Sequence, residues 1–159
     1  MDAAVYMKEH ASEFDVIIVD SSDPVGPAET LYTSSFYADM KAALRPGGIV
    51  CTQGECLWLH LDLIERVMRD AGALYPLVDY AFTTIPSYPS GQIGFILACK
   101  EGAVEGYSLS GPPRAPPAAL QARLRYYNPA VHAAAFTLPQ FAEAKLGAVR
   151  PKAPAVAAK

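Results

Sequence analysis

The chain has 159 residues, 52% of them apolar and 18% charged, and a net charge of −3. That length supports one domain with its own core, and the composition is that of a folded chain. The acidic balance excludes the basic footprint of a nucleic-acid binder, no apolar run reaches membrane-spanning length, and MDAAVYMKEH has neither the basic start nor the apolar centre of a signal peptide. A cytoplasmic protein with no nucleic-acid or membrane partner is the expectation.

Taken in chain order, Phe14 to Val19 reads as a strand buried on both faces, because VIIV does not alternate. Residues 33 to 44 read as a helix with Phe36, Met40 and Leu44 on one face, stopped by Pro46-Gly47-Gly48. Gly48 to Gln53 is a second buried strand. Residues 60 to 74 form an amphipathic helix with a stripe of Leu63, Ile64, Val67, Met68 and Ala71, and Asp62 suits the positive end of its dipole. Residues 76 to 84 and 93 to 99 read as strands, joined by the Pro- and Gly-punctuated loop IPSYPSGQ. With no helix between them, this pair is a hairpin. Residues 101 to 117 are a surface connection, 118 to 147 a set of short helices, and the Ala-Pro-Lys stretch from Ala148 to Lys159 a disordered tail.

Cys51, Cys56 and Cys99 each lie in or beside an apolar run and read as buried free thiols. No CxxC occurs and His10, His60 and His132 are scattered, which argues against a metal site.

Strand, helix, strand, helix and a hairpin give an open α/β layered fold, in which ligands bind beyond the carboxyl ends of the strands. Asp20 and Asp23 follow the first strand, Gln53 and Glu55 the second, and Tyr88 lies in the loop after the third. Between Val19 and Cys56 the only bases are Lys41 and Arg45, at the far end of a helix. A carboxylate cluster without bases attracts a metal or an organic cation. Two or three acceptors with an aromatic face suit an alkylammonium better. One carboxylate can then take the amine proton as general base while another holds the amine. Simpler readings stand beside this one. Asp23 in SDPVGP can be a turn former, Gln53 and Glu55 solvated turn residues, Tyr88 a core cap, and Trp58 and His60 packing and capping groups.

DSSDPVGPAE, TQGECLWLHLDLI, TIPSYPSGQIGF and YYNPAVHAAAFTLPQFA resemble the polyamine aminopropyltransferases, the spermidine synthase family, from about Asp2 to Leu146. The resemblance implies transfer of an aminopropyl group from decarboxylated S-adenosylmethionine to putrescine, giving spermidine and methylthioadenosine. It needs no metal and no cofactor beyond that co-substrate. It implies that Asp20 is the base, that Asp23 holds the attacking amine, and that Tyr88, Gln53 and Glu55 line the diamine pocket. Asp2, Ser21, Pro27 and Ala28 fall on the nucleoside side. The implied fold is a Rossmann-like, methyltransferase-type α/β sheet, truncated, with its first strands missing and an antiparallel hairpin strand at its C-terminal end. Residues 1–147 would form the partial domain and 148–159 the tail. The family's Gly-rich nucleoside loop is not in this sequence, so the chain reads as a truncated form, a gene-model fragment or a split product. Poor nucleoside binding, marginal stability, and a bare edge on the first strand that invites aggregation or a homodimer are expected. Two other functions remain open: a putrescine N-methyltransferase, and a non-catalytic fragment that pairs through its exposed strand edge.

Overall fold

The computed structural model describes residues 3–22, 26–103 and 106–151. A helix, α1 (Ala3–Glu9), leads into β1 (Phe14–Val19) and a 3-10 helix, Gly26–Tyr32. Then follow α2 (Ser34–Ala43), β2 (Leu44–Gln53), α3 (Leu57–Gly72) and the hairpin β3 (Leu77–Thr84) and β4 (Gln92–Cys99). Three short helices, α4 (Ala118–Gln121), α5 (Pro129–Ala135) and α6 (Gln140–Leu146), complete the described chain. The strands form one mixed sheet in the order β1-β2-β4-β3. β1 and β2 are parallel, and β4 runs antiparallel to both β2 and β3. β1, β2 and β3 therefore all point the same way, and their carboxyl ends share one rim.

The side-chain period of two splits the sheet into unlike faces. Ile17, Val50, Val78, Tyr80, Ile96 and Ala98 lie on the face covered by α2 and α3. There they meet Phe36, Tyr37 and Met40 of α2 and Ile64, Val67, Met68 and Ala71 of α3, with Ala142 and Leu146 of α6 closing the layer. The predicted α3 stripe is thus the core, with Leu63 half-buried at its margin. Burying each such side chain stabilises the fold by about 1.5–3 kcal/mol.

The opposite face is only partly covered. Between it and α5 lies a cavity of about 710 Å³, lined among others by Phe82, Phe95, Leu97, Tyr127, Val131 and Phe136. Further along this face, on β1, Val16 and Ile18 are 55% and 75% exposed, and of β1's six residues only Ile17 is buried. The prediction that β1 is buried on both faces therefore fails. An unalternating apolar run registers what a strand is built to pack against, whereas β1 is an edge strand that, among the described residues, pairs with β2 alone.

Other differences have local causes. Pro46-Gly47-Gly48 does not sit between a helix and a strand. α2 passes directly into β2 at Leu44, and the register to β1 jumps from Phe14↔Leu44 to Val16↔Ile49, so the Pro-Gly-Gly stretch bulges out of the ladder. Gly47 takes φ +74° there, and a Cβ on it would stand 3.1 Å from the Gly102 carbonyl oxygen. The third helix starts at Leu57 rather than His60, which puts Asp62 beyond its first turn. Asp62 bonds Lys145 of α6 instead of the dipole, and that ammonium holds its carboxyl below the usual range. Helix α1, which was not among the predicted elements, packs along α2, with Ala4 and Met7 against the core. Within the stretch read as tail, Val149 packs against the core and Arg150 pairs with Asp79 and Glu143. Residues 152–159 lie outside the described residues.

Candidate active site

Of the polar residues that the sequence singled out, the shared rim carries Asp20, Gln53 and the loop of Tyr88 among the described residues. Asp20 is the first residue beyond β1 and is exposed. Val19 is in register with Thr52, so Asp20 emerges beside the end of β2, where Gln53 is buried. Tyr32 ties these two chain segments together. Its hydroxyl accepts a hydrogen bond from Ser21 Oγ at 3.2 Å and donates to Gln53 Oε1 at 2.8 Å. Nothing in composition points to Tyr32. The available signal was Thr33, which caps α2 by accepting from the Phe36 amide.

Glu55 is the most constrained of the set. It is 5% exposed and its backbone is left-handed, with φ +61°. A non-glycine residue in that region costs on the order of 1–2 kcal/mol. Three contacts hold it there. The Tyr80 hydroxyl donates to the Glu55 carbonyl at 2.7 Å, and the neighbouring Gly54 amide donates to the Gly94 carbonyl at 2.8 Å. Its Oε2 lies 2.9 Å from His60 Nδ1. The other carboxylate oxygen, Oε1, is buried without a hydrogen-bond partner among the described residues.

Gly94 explains part of the IGF wording. A Cβ there would lie 1.7 Å from the Tyr80 hydroxyl and 2.6 Å from the Glu55 carbonyl oxygen. Only glycine lets the phenol pass the strand to reach Glu55. Burial pushes the Tyr80 phenol far above its ordinary value, so it remains a donor. Nearby, Tyr37 and Thr52 share a buried hydroxyl pair at 2.8 Å.

Of the packing and capping roles expected for Trp58 and His60, Trp58 packs and neither residue caps α3. His60 interrupts α3 with φ −130° and ψ 29°, and turns its ring to Glu55. Trp58 is 62% exposed and packs on Phe141 with ring centroids 4.9 Å apart. Tyr88 is 41% exposed, so it does not cap the core. It sits in a tight loop where Gly91 donates to its carbonyl at 2.9 Å, and Ser90 and Gly91 take φ +58° and +65°. That loop follows β3 and so lies on the same rim.

Asp2 and Asp23 lie outside the described residues, as do the side chains of Pro27 and Ala28 in the 3-10 helix. The structure therefore joins Ser21 to Gln53 through Tyr32, fixes Glu55 close by in sequence, and sets Asp20 and the Tyr88 loop on the same edge.

No described lysine or arginine pairs with these acids. Lys41 bonds Glu101 at 2.9 Å and Arg45 bonds Asp15 at 2.8 Å, both at the opposite end of the sheet. The described residues hold no group of three or more His, Cys, Asp and Glu side chains that could bind a metal. They also hold no helix long and apolar enough to cross a membrane. The cavity beside α5 has no acidic residue in its lining, so it does not suit an ammonium ion.

An open α/β sheet with its polar groups gathered beyond the carboxyl ends of parallel strands defines a Rossmann-like small-molecule site. The spermine/spermidine synthase domain matches residues 1–108. The chain is 51% identical to spermidine synthase of Dictyostelium discoideum over 91% of its own length and 49% of that protein's. It is 44% identical to polyamine aminopropyltransferase of Leptospira biflexa over 90% of its length and 49% of that protein's. The crystal structure of a spermidine synthase in complex with the transition state analogue AdoDATO superposes with a TM-score of 0.75 at 28% identity. That match covers 91% of this chain and 48% of the other. The chain belongs to the spermine/spermidine synthase family, and it spans about half the length of the curated relatives it matches.

Proposed function

We propose that this chain carries the amine-binding and proton-accepting part of an aminopropyltransferase site. Its substrates are putrescine and decarboxylated S-adenosylmethionine, and its compartment is the cytoplasm. Glu55 carries the reading: two residues after Gln53, it is buried with one carboxylate oxygen lacking a hydrogen-bond partner among the described residues, and no described lysine or arginine is paired to it. An alkylammonium supplies what that oxygen lacks.

The chemistry needs little from the protein. A free alkylamine is protonated at neutral pH, with an ordinary value near 10.4 for a lysine-like group. Asp20 accepts a proton from the attacking nitrogen as its lone pair forms a bond to the aminopropyl carbon next to sulfur. The carbon–sulfur bond breaks, its electron pair stays on sulfur, and the sulfonium becomes the neutral thioether of methylthioadenosine. The sulfonium is already an activated leaving group, so no metal or further cofactor enters. General base catalysis of this kind contributes about 10²–10⁴-fold, and alignment of the two reactants contributes most of the rest. Asp23, Tyr88 and Gln53 hold the diamine, and Asp2, Ser21, Pro27 and Ala28 face the nucleoside. The named relatives are spermidine synthases and aminopropyltransferases, which favours this reading over N-methyl transfer.

Incubation of the purified chain with both substrates and measurement of spermidine tests it. Turnover that disappears in Asp20→Asn with the circular dichroism unchanged is the expected result. Turnover retained in Asp20→Asn removes the base assignment. Absence of spermidine, with or without putrescine binding, leaves the fragment reading in its place.

A further inference from the structure

Asp20, Ser21 and Ser22 belong to no helix or strand, and the pairing of β1 with β2 ends one residue earlier, at Val19↔Thr52. The proposed base therefore sits on a short irregular segment at the edge of the sheet. Tyr32 grips the two residues that follow it. The phenol oxygen accepts from Ser21 Oγ at 3.2 Å, and its one hydrogen faces Gln53 Oε1 at 2.8 Å and the Ser22 carbonyl at 3.2 Å. These contacts join the segment of the base to the buried end of β2. The grip has a firm footing. Tyr32 closes the 3-10 helix and immediately precedes Thr33, the N-cap of α2, and its ring is half-buried against the core.

We propose that Tyr32 is a positioning residue for Asp20. Its hydroxyl fixes the Asp20–Ser22 segment relative to Gln53, so that the carboxylate that takes the proton keeps one place beside the diamine. This rests on the aminopropyltransferase reading above and adds to it the group that sets the aim of the base. A general base works only within hydrogen-bond reach of its proton, and a misplacement of about 1 Å can cost about 10²-fold in rate. A phenylalanine ring would fill the same place against the core; the oxygen alone reaches the rim. Tyr32 transfers no proton in this role and acts through Ser21, Ser22 and Gln53.

The variant Tyr32→Phe keeps the ring and removes that oxygen. Nitrogen relaxation of the purified chain and steady-state turnover at saturating decarboxylated S-adenosylmethionine test the inference, both well below the melting midpoints of the two proteins. The wild-type amides of Asp20, Ser21 and Ser22 should show order parameters of about 0.85, falling to below about 0.6 in the variant. Its kcat should fall by about 10²-fold, with a smaller change in KM for putrescine. A lower melting midpoint with kcat unchanged marks a merely structural contact and overturns the proposal. Wild-type order at residues 20–22 in the variant overturns it as well, whatever the rate. A rise in KM larger than the fall in kcat assigns the hydroxyl to the diamine instead of the base, and also overturns it. In each of these cases a wild-type chain that forms spermidine leaves the aminopropyltransferase reading standing. A wild-type chain that forms none removes that reading, and this inference falls with it.

Discussion

Replacing Tyr80 with phenylalanine removes a single oxygen, and the structure says what that oxygen does. The Tyr80 side chain is fully buried, and its hydroxyl donates to the Glu55 carbonyl at 2.7 Å. Tyr80→Phe leaves that buried carbonyl without its donor, which costs about 1–3 kcal/mol. For a chain of this size 1 kcal/mol shifts the melting midpoint by about 2–4 °C, so a 2 kcal/mol loss lowers it by about 4–8 °C. The denaturant slope should not change, because the surface exposed on unfolding is the same. A second effect is specific to the rim. Glu55 is held in left-handed backbone partly by this bond, so putrescine affinity should fall together with stability. Tyr75→Phe is the control: its hydroxyl donates to the Tyr37 carbonyl at 2.8 Å, within the core. It should lower the midpoint by a similar amount and leave amine binding alone. Thermal melts by circular dichroism and calorimetric titration read both effects. A Tyr80→Phe midpoint within about 1 °C of wild type would refute the anchoring argument, since it implies less than 0.5 kcal/mol. Equal losses of affinity in both variants would refute the coupling to Glu55.

Four further outcomes follow from particular contacts. Gly94→Ala should be worse than Tyr80→Phe, because the added Cβ displaces the phenol and the overpacking itself costs about 1–3 kcal/mol; urea melts of the two variants decide it. Glu55→Gly relieves the positive φ and removes a half-partnered buried carboxylate, so urea stability should hold or rise by up to about 1 kcal/mol while putrescine binding disappears. Burial raises the phenols of Tyr37, Tyr75 and Tyr80 above their ordinary 10.0. Their protons stay on in the folded chain and leave on unfolding, so stability is intact below pH 10 and falls above it. The slope is about 1.4 kcal/mol per pH unit for each group. Tyrosinate absorbance should rise together with loss of ellipticity, and early ionisation without unfolding would contradict the burial. Finally, Ile18→Lys places a charge on the exposed edge strand and should suppress self-association in sedimentation velocity, with little change in the melting midpoint.

The elements legible in the sequence were those whose burial follows a period. The α2 face of Phe36 and Met40 and the α3 stripe from Ile64 to Ala71 both became core. The short Pro- and Gly-rich connection between residues 84 and 92 correctly implied a hairpin, since nothing longer than a turn fits there. What escaped had no period to display. Cys56 begins α3 without a side-chain cap, so nothing in the sequence marks Leu57 as its start. The bare edge expected of β1 is there among the described residues, but its exposed face was not foreseen, because hydrophobicity reports what a strand can pack against and not whether a neighbour is present. At the rim, residue types were readable and partnerships were not. Asp20, Gln53 and Glu55 were found by their position after strands. Tyr32 and His60 act through contacts 21 and 5 residues away in sequence, which only the folded chain brings together.

The bulk of the rim is braced from below by helices, but Asp20 follows the strand that, among the described residues, has a neighbour on one flank alone. Whatever polypeptide zips onto the free flank of β1, whether another molecule or more of the same one, becomes the wall against which this carboxylate works. Its solvation and its aim are then set at a seam, and a change at Val16 or Ile18 would be felt as a change in chemistry at a residue that neither side chain needs to touch.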